Sequence, residues 1–370
     1  LLAEVATVLQ LVPGPDDLLQ AVLVGPVSAV QVGMQILDEA LVLLANLRPA
    51  PGVAGIEDFQ RPPLARGQAA GVDRLHGRLP AGIAGGVVAE DLVRVADAVA
   101  SQDDMTLVGV ADVANDWRVR VASRRGYPLF AAGSQALAEM RATGLDPAGE
   151  LRELLSEAEV VVDCTPKGID AKNRPLYDET DTRVVFQGGS RHELAGHSFV
   201  ACANYATARD LRMTRVVSCN TTSTVRTLFA LRQAGLLERA RGVLTRRATD
   251  PWESHREGIL NTMVPERSIP SHQGPDAQSV IPELDVVTMA SKSPQNVAHL
   301  HHWVVQLTRP ADRDEILEAF GAVPRIAFIQ AADGVEALNV TAEVMKEIGR
   351  PHQGQVVSWW GVPLPPTLPE

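Results

Sequence analysis

The feature that most constrains the fold of this chain is a regular alternation of strand and helix patterns that begins near residue 92. Short apolar runs rich in valine alternate with segments in which leucine or valine recurs every three or four positions. The apolar runs are residues 106–111, 160–164 and 184–186, and the helical stripes are formed by Leu92, Val95 and Val99 and by Leu151, Leu154 and Leu155. This order of patterns predicts a doubly wound parallel sheet.

The pattern changes after residue 217. Residues 243–245 and 303–307 suggest strands with one solvated face, and residues 325–329 form a further apolar run. Such strands are typical of antiparallel or mixed sheets. The predicted fold class is therefore a Rossmann-like α/β domain over residues 92–217, followed by an α+β domain with an antiparallel or mixed sheet over residues 218–350.

The two ends of the chain have a different composition. Residues 1–91 contain one Ser, one Thr and no Lys, Cys, Trp or Tyr, and residues 351–370 are similarly without a clear period. We expect an atypical extension and an atypical tail. They are either weakly folded or the product of a reading-frame error in the gene.

Charge and cysteine content exclude several classes of protein. The formal net charge is −11, and no Lys/Arg cluster is dense enough to follow a phosphate backbone, so nucleic acid is not an expected partner. Apolar stretches near the N-terminus are interrupted by prolines and acidic residues, so neither a signal peptide nor a membrane span is predicted. The three cysteines are widely spaced, which fits the cytoplasm and no metal site.

The strongest candidate for chemistry is Cys219. It follows an apolar strand end and Ser218, and it precedes Asn220 and Thr221 at the start of a helical pattern. A thiol at a helix N-terminus lies in a positive field that favours the nucleophilic thiolate. The alternative is a buried structural cysteine followed by an ordinary helix cap.

Four other segments carry candidate residues. Alternation along a strand places His299 and His301 on one face and His302 on the other, and one imidazole near a thiolate can move its proton. The loop with Ser271, His272 and Gln273 suits a phosphate or is a capped turn. The remaining candidates are Arg246 and Arg247, as a phosphate clamp or a surface pair, and Gly188 and Gly189, as a close approach to a ligand or a tight turn.

These segments together resemble the archaeal-class (type II) glyceraldehyde-3-phosphate dehydrogenases, in their order and nearly their spacing from about residue 94 to 350. The matching segments are Arg94–Val99, Gln102–Met105, Asp163–Gly168, Phe186–Gly189, Val216–Thr222, Pro270–Asp276 and His299–His301. The resemblance implies a dinucleotide-binding domain over residues 92–217 and a catalytic domain over residues 218–350.

The roles that follow are implied by the resemblance. Cys219 is expected to be the nucleophile and His299 the general base, with Ser218, Asn220 and Thr221 beside the reacting carbon. His272 and Gln273 are expected at the substrate phosphate. Gly189 and Arg247 are expected at cofactor-contacting positions, and a homotetramer is expected.

Three departures from the family pattern stand out. Residues 82–91, where a glycine-rich phosphate loop is expected, lack the GxGxxG spacing. Gln273 replaces the family's second histidine, and the similarity ends after Arg350. Losing the pattern at both ends is the basis of the reading-frame hypothesis.

The predicted function is oxidation of glyceraldehyde 3-phosphate through a Cys219 thioester, with hydride transfer to NAD or NADP and phosphorolysis to 1,3-bisphosphoglycerate in glycolysis or gluconeogenesis. Asp112, at the end of the second strand, favours NAD because a carboxylate accepts from a ribose hydroxyl and repels a 2′-phosphate. The alternatives are another cysteine-dependent acyl-phosphate reductase, such as aspartate-semialdehyde dehydrogenase, and an inactive remnant that acts only as a binding scaffold.

Overall fold

A computed structural model describes residues 5–13, 19–28, 79–84, 91–187, 189–249, 261–330, 334–335, 337–347 and 356–359. The chain divides into two compact units, Ile36–Val217 and a second unit made of Leu1–Gln35 and Ser218–Glu370. Each unit is built around one eight-stranded sheet of the described strands.

The described residues of the unit Ile36–Val217 form strands β3 to β10 and helices α1 to α7. In chain order they are β3 (Leu79–Ala84), α1 (Asp91–Ala100), β4 (Met105–Asp112), α2 (Trp117–Arg124), β5 (Leu129–Ala131), α3 (Ser134–Ala142), β6 (Gly149–Glu150), α4 (Leu151–Glu157), β7 (Val160–Asp163), α5 (Asp170–Asp178), β8 (Arg183–Phe186), α6 (His192–Ala195), β9 (Ser198–Phe199), α7 (Ala201–Ala208) and β10 (Met213–Val216).

The sheet of this unit has the order β6-β5-β4-β3-β7-β8-β10-β9, and every described pair of neighbours is parallel. Its strands are nearly continuous apolar runs, as expected when both faces are covered by helices. β3 pairs with β4 on one side and β7 on the other, which creates a switch point at the carboxyl ends of these strands. The predicted Rossmann-like class is confirmed.

The described residues of the other unit form β1, β2, strands β11 to β16 and helices α8 to α11. They are β1 (Val5–Pro13), β2 (Leu19–Ser28), α8 (Cys219–Gln233), β11 (Leu237–Arg247), β12 (Val264–Pro265), α9 (Gln273–Gln278), β13 (Val286–Ser293), β14 (Ala298–Leu307), α10 (Arg313–Gly321), β15 (Ala327–Gln330), α11 (Leu338–Glu347) and β16 (Val356–Trp359).

The sheet of this unit is mixed, with the order β12-β13-β11-β14-β2-β1-β16-β15. β11 pairs parallel to β13 and antiparallel to β14, while α8 packs against β11, α9 and α10. Along β14 the odd-numbered residues 299 to 307 are buried and the even-numbered ones are more accessible. This is the one-sided alternation that the sequence showed, and the predicted mixed sheet is confirmed.

Close packing of β11 on β14 depends on a glycine. A Cβ at Gly242 would lie 2.4 Å from Cζ3 of Trp303, a side chain that is fully buried. The ring of Trp303 in turn meets the ring of His301 edge to face, with centroids 6.2 Å apart. The absence of a side chain at Gly242 therefore leaves room for the indole of Trp303, which packs against the buried imidazole of His301.

Parts of both chain ends are described. β3 lies within residues 1–91 and is central in the parallel sheet, whereas β1 and β2 join the mixed sheet beside β14 and β16. β16 belongs to the stretch 351–370. In the segment 82–91, residues 82–84 belong to β3 and residue 91 begins α1. Residues 85–90, between these two elements, lie outside the described residues. The domain bounds 92–217 and 218–350 stay a prediction.

Candidate active site

Cys219 is the first residue of α8, a helix of 15 residues. Ser218 is the N-cap, and its hydroxyl accepts a hydrogen bond from the backbone N–H of Thr221 at 3.3 Å. The helix starts here because the serine has extended backbone geometry and satisfies one of the unpaired N–H groups of the first turn. The thiol of Cys219 consequently lies at the positive end of the helix dipole.

His299 lies beside the thiol. Its Nε2 is 3.7 Å from Sγ of Cys219, and its Nδ1 accepts a hydrogen bond from the backbone N–H of Arg247 at 3.0 Å. Burial, reinforced by the nearby Arg247 and Arg246, lowers the pKa of His299 well below its ordinary value. The ring is neutral at pH 7, and because Nδ1 accepts, the ring proton is on Nε2 and faces the sulfur.

Asn220 also faces the sulfur. Its Nδ2 lies 3.6 Å from Sγ of Cys219, and the side chain is buried. Amide and imidazole N–H groups on one sulfur stabilise negative charge there, since hydrogen bonds to a charged acceptor are the strong ones. The arrangement favours a thiolate without an adjacent positive histidine.

A cleft of about 260 Å³ opens at Cys219. Its lining residues are Ser218, Cys219, Asn220, Arg246, Arg247, Ala248, Thr249, His272, Lys292 and His299. The register of β11 on β13 places Lys292 opposite Arg246, so the strands bring two cations to the same end of the sheet. With Arg247 they give a site suited to an anionic substrate.

One carboxylate balances part of this charge. Glu266 accepts from Arg246 Nη1 at 3.2 Å, and its other oxygen lies 2.9 Å from Nδ1 of His272. Burial acts to raise the pKa of Glu266, but the hydrogen bonds from His272 outweigh it and hold the pKa below its ordinary value. The half-exposed His272 is thereby oriented at the rim of the cleft.

The structure brings six predicted site residues together in this cleft: Cys219, His299, Ser218, Asn220, His272 and Arg247. Thr221 and Gln273 do not line it. Thr221 is fully buried and donates to Asp276 Oδ2 at 2.9 Å, which ties α8 to α9. Gln273 is fully buried, and neither atom of its amide has a hydrogen-bond partner among the described residues.

Sequence reasoning missed Lys292 and Thr249. Lys292 stands between two serines near the end of an apolar strand pattern, and a strand-end cation was a usable signal. Its proximity to Arg246 depends on β11 and β13 being paired and in register, and neighbouring letters do not reveal such pairing. Thr249 offered no local signal at all.

The unit Ile36–Val217 has a larger cleft of about 590 Å³ at the carboxyl ends of its parallel strands. Its lining residues include Ala84 at the end of β3, Ala111 one residue before the end of β4, and Thr165 two residues after β7. Asp112 ends β4 between two lining residues. Its Oδ1 accepts from the backbone N–H of Ala114 at 2.8 Å, whereas Oδ2 is buried without a hydrogen-bond partner among the described residues. Burial raises the pKa of Asp112 to about 6.

Gly189 lies in the same unit after β8. Its φ is +83°, a left-handed conformation that side chains rarely adopt, and a Cβ there would meet open space. Glycine is required by the backbone at this position rather than by crowding. The preceding Gly188 lies outside the described residues.

The described part of the chain has neither a membrane-spanning helix nor a metal-binding cluster. No helix there is long and apolar enough to cross a membrane. Nor do the described residues include a group of three or more His, Cys, Asp or Glu side chains that could hold a metal ion.

The chain is similar to known proteins of one family. A family model described as "Glyceraldehyde 3-phosphate dehydrogenase, C-terminal domain" matches residues 218–355. Proteins named glyceraldehyde-3-phosphate dehydrogenase are 40% identical over 261 residues in Pyrobaculum calidifontis and 38% identical over 258 residues in Methanothermus fervidus. These matches cover 70% of this chain and 75% and 76% of the relatives.

A solved structure of aspartate semialdehyde dehydrogenase II from Vibrio cholerae is also similar, at 13% identity and a TM-score of 0.49, over 69% of this chain and 82% of that one. That likeness is too low to bear on activity. The resemblance to archaeal-class enzymes that the sequence indicated is confirmed by the curated relatives.

Proposed function

This chain belongs to the glyceraldehyde-3-phosphate dehydrogenase family, and we propose that it oxidises glyceraldehyde 3-phosphate to 1,3-bisphosphoglycerate with NAD(P) and inorganic phosphate. The observation that carries the proposal is the position of Cys219 Sγ at the start of α8, 3.7 Å from His299 Nε2, in a cleft lined by three cations. A nucleophile, its proton partner and an anion site meet there, as acyl-phosphate chemistry requires.

Cys219 is the proposed nucleophile. Its thiolate attacks the aldehyde carbon, and the new C–S bond gives a thiohemiacetal whose oxygen carries the negative charge. Loss of a hydride from this carbon gives a thioester. A phosphate oxygen then attacks the thioester carbonyl, the C–S bond breaks, and the thiolate is restored as the acyl phosphate leaves.

His299 is the proposed partner of both sulfur and oxyanion. The backbone N–H of Arg247 can only donate, so Nδ1 of His299 is an acceptor and the neutral ring presents Nε2–H to the reaction. In this state the imidazole donates to the thiolate and then to the thiohemiacetal oxygen. The general-base role implied by the family resemblance requires Nε2 without a proton, and the two roles are separable by substitution.

Arg246, Arg247 and Lys292 are proposed to hold the anionic groups of the substrates. The triose phosphate and inorganic phosphate are both anions, and a forked guanidinium binds phosphate oxygens in two places. His272, whose Nδ1 is held by Glu266, extends this set at the rim. Thr221 and Gln273 stay predictions as substrate contacts, and their burial favours an indirect role.

A nicotinamide dinucleotide fits the cleft of the unit Ile36–Val217. The cleft lies at the carboxyl ends of parallel strands beside a switch point, and the buried Oδ2 of Asp112 has no partner among the described residues. We propose that Asp112 accepts from a ribose hydroxyl, that Gly189 contacts the cofactor, and that NAD is preferred over NADP. The cofactor supplies the hydride acceptor.

Assembly with further copies of the chain is also proposed. Val243, Met289 and Val304 are between 42% and 46% exposed on the outer face of three neighbouring strands, β13, β11 and β14. Met289 lies directly opposite Val243, and Val304 lies diagonally across from Val243 on the same face. Apolar side chains grouped on an open sheet face suit a self-complementary interface. A Val304→Glu variant is expected to lower the mass of the oligomer in sedimentation, with a Glu238→Gln variant at an exposed position as a matched control.

The cytoplasm remains the proposed location, because an active-site thiolate needs a reducing compartment.

The test is an assay of the purified chain with NAD or NADP, phosphate and the triose phosphate, followed by reduced-cofactor absorbance. Activity that requires both phosphate and Cys219 supports the proposal. Turnover with aspartate semialdehyde in place of the triose phosphate would favour the alternative reductase. Ligand binding without any turnover would favour the inactive remnant.

A further inference from the structure

We propose that His301 is a positioning residue that acts through Asn220 to hold an N–H group on the sulfur of Cys219. The proposal rests on the proposed role of Cys219 as nucleophile and adds a residue that does not touch the substrate. It depends on a chain of three buried side chains: His301 Nε2 lies 2.8 Å from Asn220 Oδ1, and Asn220 Nδ2 lies 3.6 Å from Cys219 Sγ.

The orientation of the Asn220 amide decides whether this chain helps or harms the thiolate. With Nδ2 toward the sulfur the amide donates to the negative charge. After a flip of the amide, Oδ1 would face the sulfur, and two electron-rich atoms would repel each other. Asn220 is 4% exposed, so water cannot compensate for the wrong orientation.

His301 selects the favourable orientation through its own protonation. Burial lowers the pKa of His301 to about 3, so the ring is neutral and has one N–H. With the proton on Nε2, the ring donates to Asn220 Oδ1, which leaves Nδ2 for the sulfur. The Nδ1 atom of His301 has no hydrogen-bond partner among the described residues, so a proton placed there would be a buried donor without an acceptor.

The surroundings keep the ring of His301 in place. The ring is fully buried and does not line the cleft. It meets the buried Trp303 edge to face and lies two residues from His299 on the same face of β14. The cations near the sulfur come from other positions: Arg246 and Arg247 on β11 and Lys292 on β13. The half-buried His302, on the opposite face, is the remaining titratable neighbour that affects His301.

Two substitutions of His301 distinguish the effect of its hydrogen-bond donation from the effect of its ring shape. His301→Phe keeps a ring of similar size but removes the donor, whereas His301→Gln places an amide N–H near the position of Nε2. The readout is the rate at which iodoacetamide alkylates Cys219, measured by mass spectrometry of its peptide so that Cys164 and Cys202 do not contribute. His302→Gln is the matched control on the other face of the strand.

For His301→Phe we expect a fall of roughly tenfold in the alkylation rate at pH 7, and a rise of about 1 in the pH at which the rate is half-maximal. His301→Gln is expected to recover most of the rate, and His302→Gln to leave it unchanged. An equal effect of the Phe and Gln variants, or no effect of either, would overturn the proposal. The unfolding temperature of each variant identifies any that fail to fold.

A double-mutant comparison tests whether His301 acts through Asn220. In a chain that already carries Asn220→Ala, adding His301→Phe is expected to change the rate by less than about twofold, because the two residues form one unit. A further tenfold fall would overturn the mechanism. Alkylation needs no cofactor or substrate, so inactivity of the wild-type chain would contradict the proposed function while leaving this inference standing.

Discussion

The two units bury ionisable side chains of opposite type. In the unit Ile36–Val217, Asp112 and Asp163 end β4 and β7, and burial raises the pKa of both carboxyl groups. In the other unit, His299 and His301 lie on β14, and burial lowers the pKa of both rings. Burial thus opposes the charged form in both units. The buried groups are carboxyl acceptors in the unit Ile36–Val217, whereas in the other unit they are neutral imidazole rings with an N–H to donate.

The difference follows from what each site receives. Asp163 is saturated by donors, since Thr165, Asn173 and Tyr177 all hydrogen-bond to it, whereas Oδ2 of Asp112 has none among the described residues. A ligand hydroxyl can supply the missing donor. In the mixed-sheet unit the sulfur is the acceptor and the surrounding side chains donate. Substitutions in the two units should therefore have different consequences.

Cys219→Ser is expected to abolish the oxidation reaction at the mixed-sheet unit and to leave cofactor binding by the unit Ile36–Val217 intact. Activity should fall by at least about 10⁴-fold, because a hydroxyl at this position is a far weaker nucleophile than a thiolate. Steady-state cofactor reduction measures the loss, and fluorescence titration measures cofactor binding, which should be unchanged. Activity that survived the substitution would contradict the mechanism.

His299→Ala and His299→Gln distinguish the two roles proposed for the imidazole. Removal of the side chain is expected to lower kcat by about 10²- to 10⁴-fold. A glutamine can donate an N–H to the sulfur but cannot take a proton. If donation is the main role, His299→Gln should retain at least about tenfold more activity than His299→Ala. Equal losses in the two variants would instead support the general-base role.

Asp112→Ala is expected to weaken cofactor binding and to leave the reactivity of Cys219 unchanged. Loss of a charged acceptor for a ribose hydroxyl should weaken NAD binding by roughly 10- to 100-fold, a range that corresponds to about 1.5–3 kcal/mol. Binding of NADP should weaken less or improve. The alkylation rate of Cys219 is the control. A variant that still bound NAD as tightly as the wild type would remove Asp112 from the site.

The pH dependence of stability should have opposite signs in the two units. His301 has a folded pKa of about 3 against 6.5 for an ordinary histidine, so its contribution is lost as the pH falls below 6.5. Asp112 has a folded pKa of about 6 against 3.8, so its contribution is lost as the pH rises from 3.8 through 6. Each slope is about 1.4 kcal/mol per pH unit within its window.

Hydrogen exchange resolved by peptide can measure each unit separately between pH 4.5 and 6.5. His301→Phe should reduce the acid-side loss in peptides of β11 and β14, and Asp112→Asn should reduce the opposite trend in peptides of β4 and β7, while His299 and Asp163 maintain the remainder. Parallel trends in both units would contradict the contrast.

Much of this site could be predicted from the sequence because the signals are local. The helix start at Cys219 was visible in the sequence as an apolar strand end followed by Ser218. In the structure Ser218 has an extended conformation and caps the helix, as this pattern predicts. Alternation along 299–307 put His299 and His301 on one face, and the burial of β14 follows it. The fold class followed equally from periodicity.

Other parts could not be predicted because they depend on partners far apart in the chain. Gln273 and Thr221 look like ligand contacts in a polar sequence, yet both are buried inside the unit. Lys292 reaches the cleft only because β13 pairs with β11 in one register. The bond between His301 and Asn220 joins residues 81 positions apart, and no local pattern encodes such a distance.

The order of strands and helices, the thiol at a helix start and the face on which the histidines lie each depend on neighbours a few residues away, so they can be read from the sequence. The identity of the side chains around the sulfur, and their protonation, depend on the tertiary structure. Burial and strand register set those properties, because an imidazole proton is placed by whatever donor or acceptor the fold brings within about 3 Å.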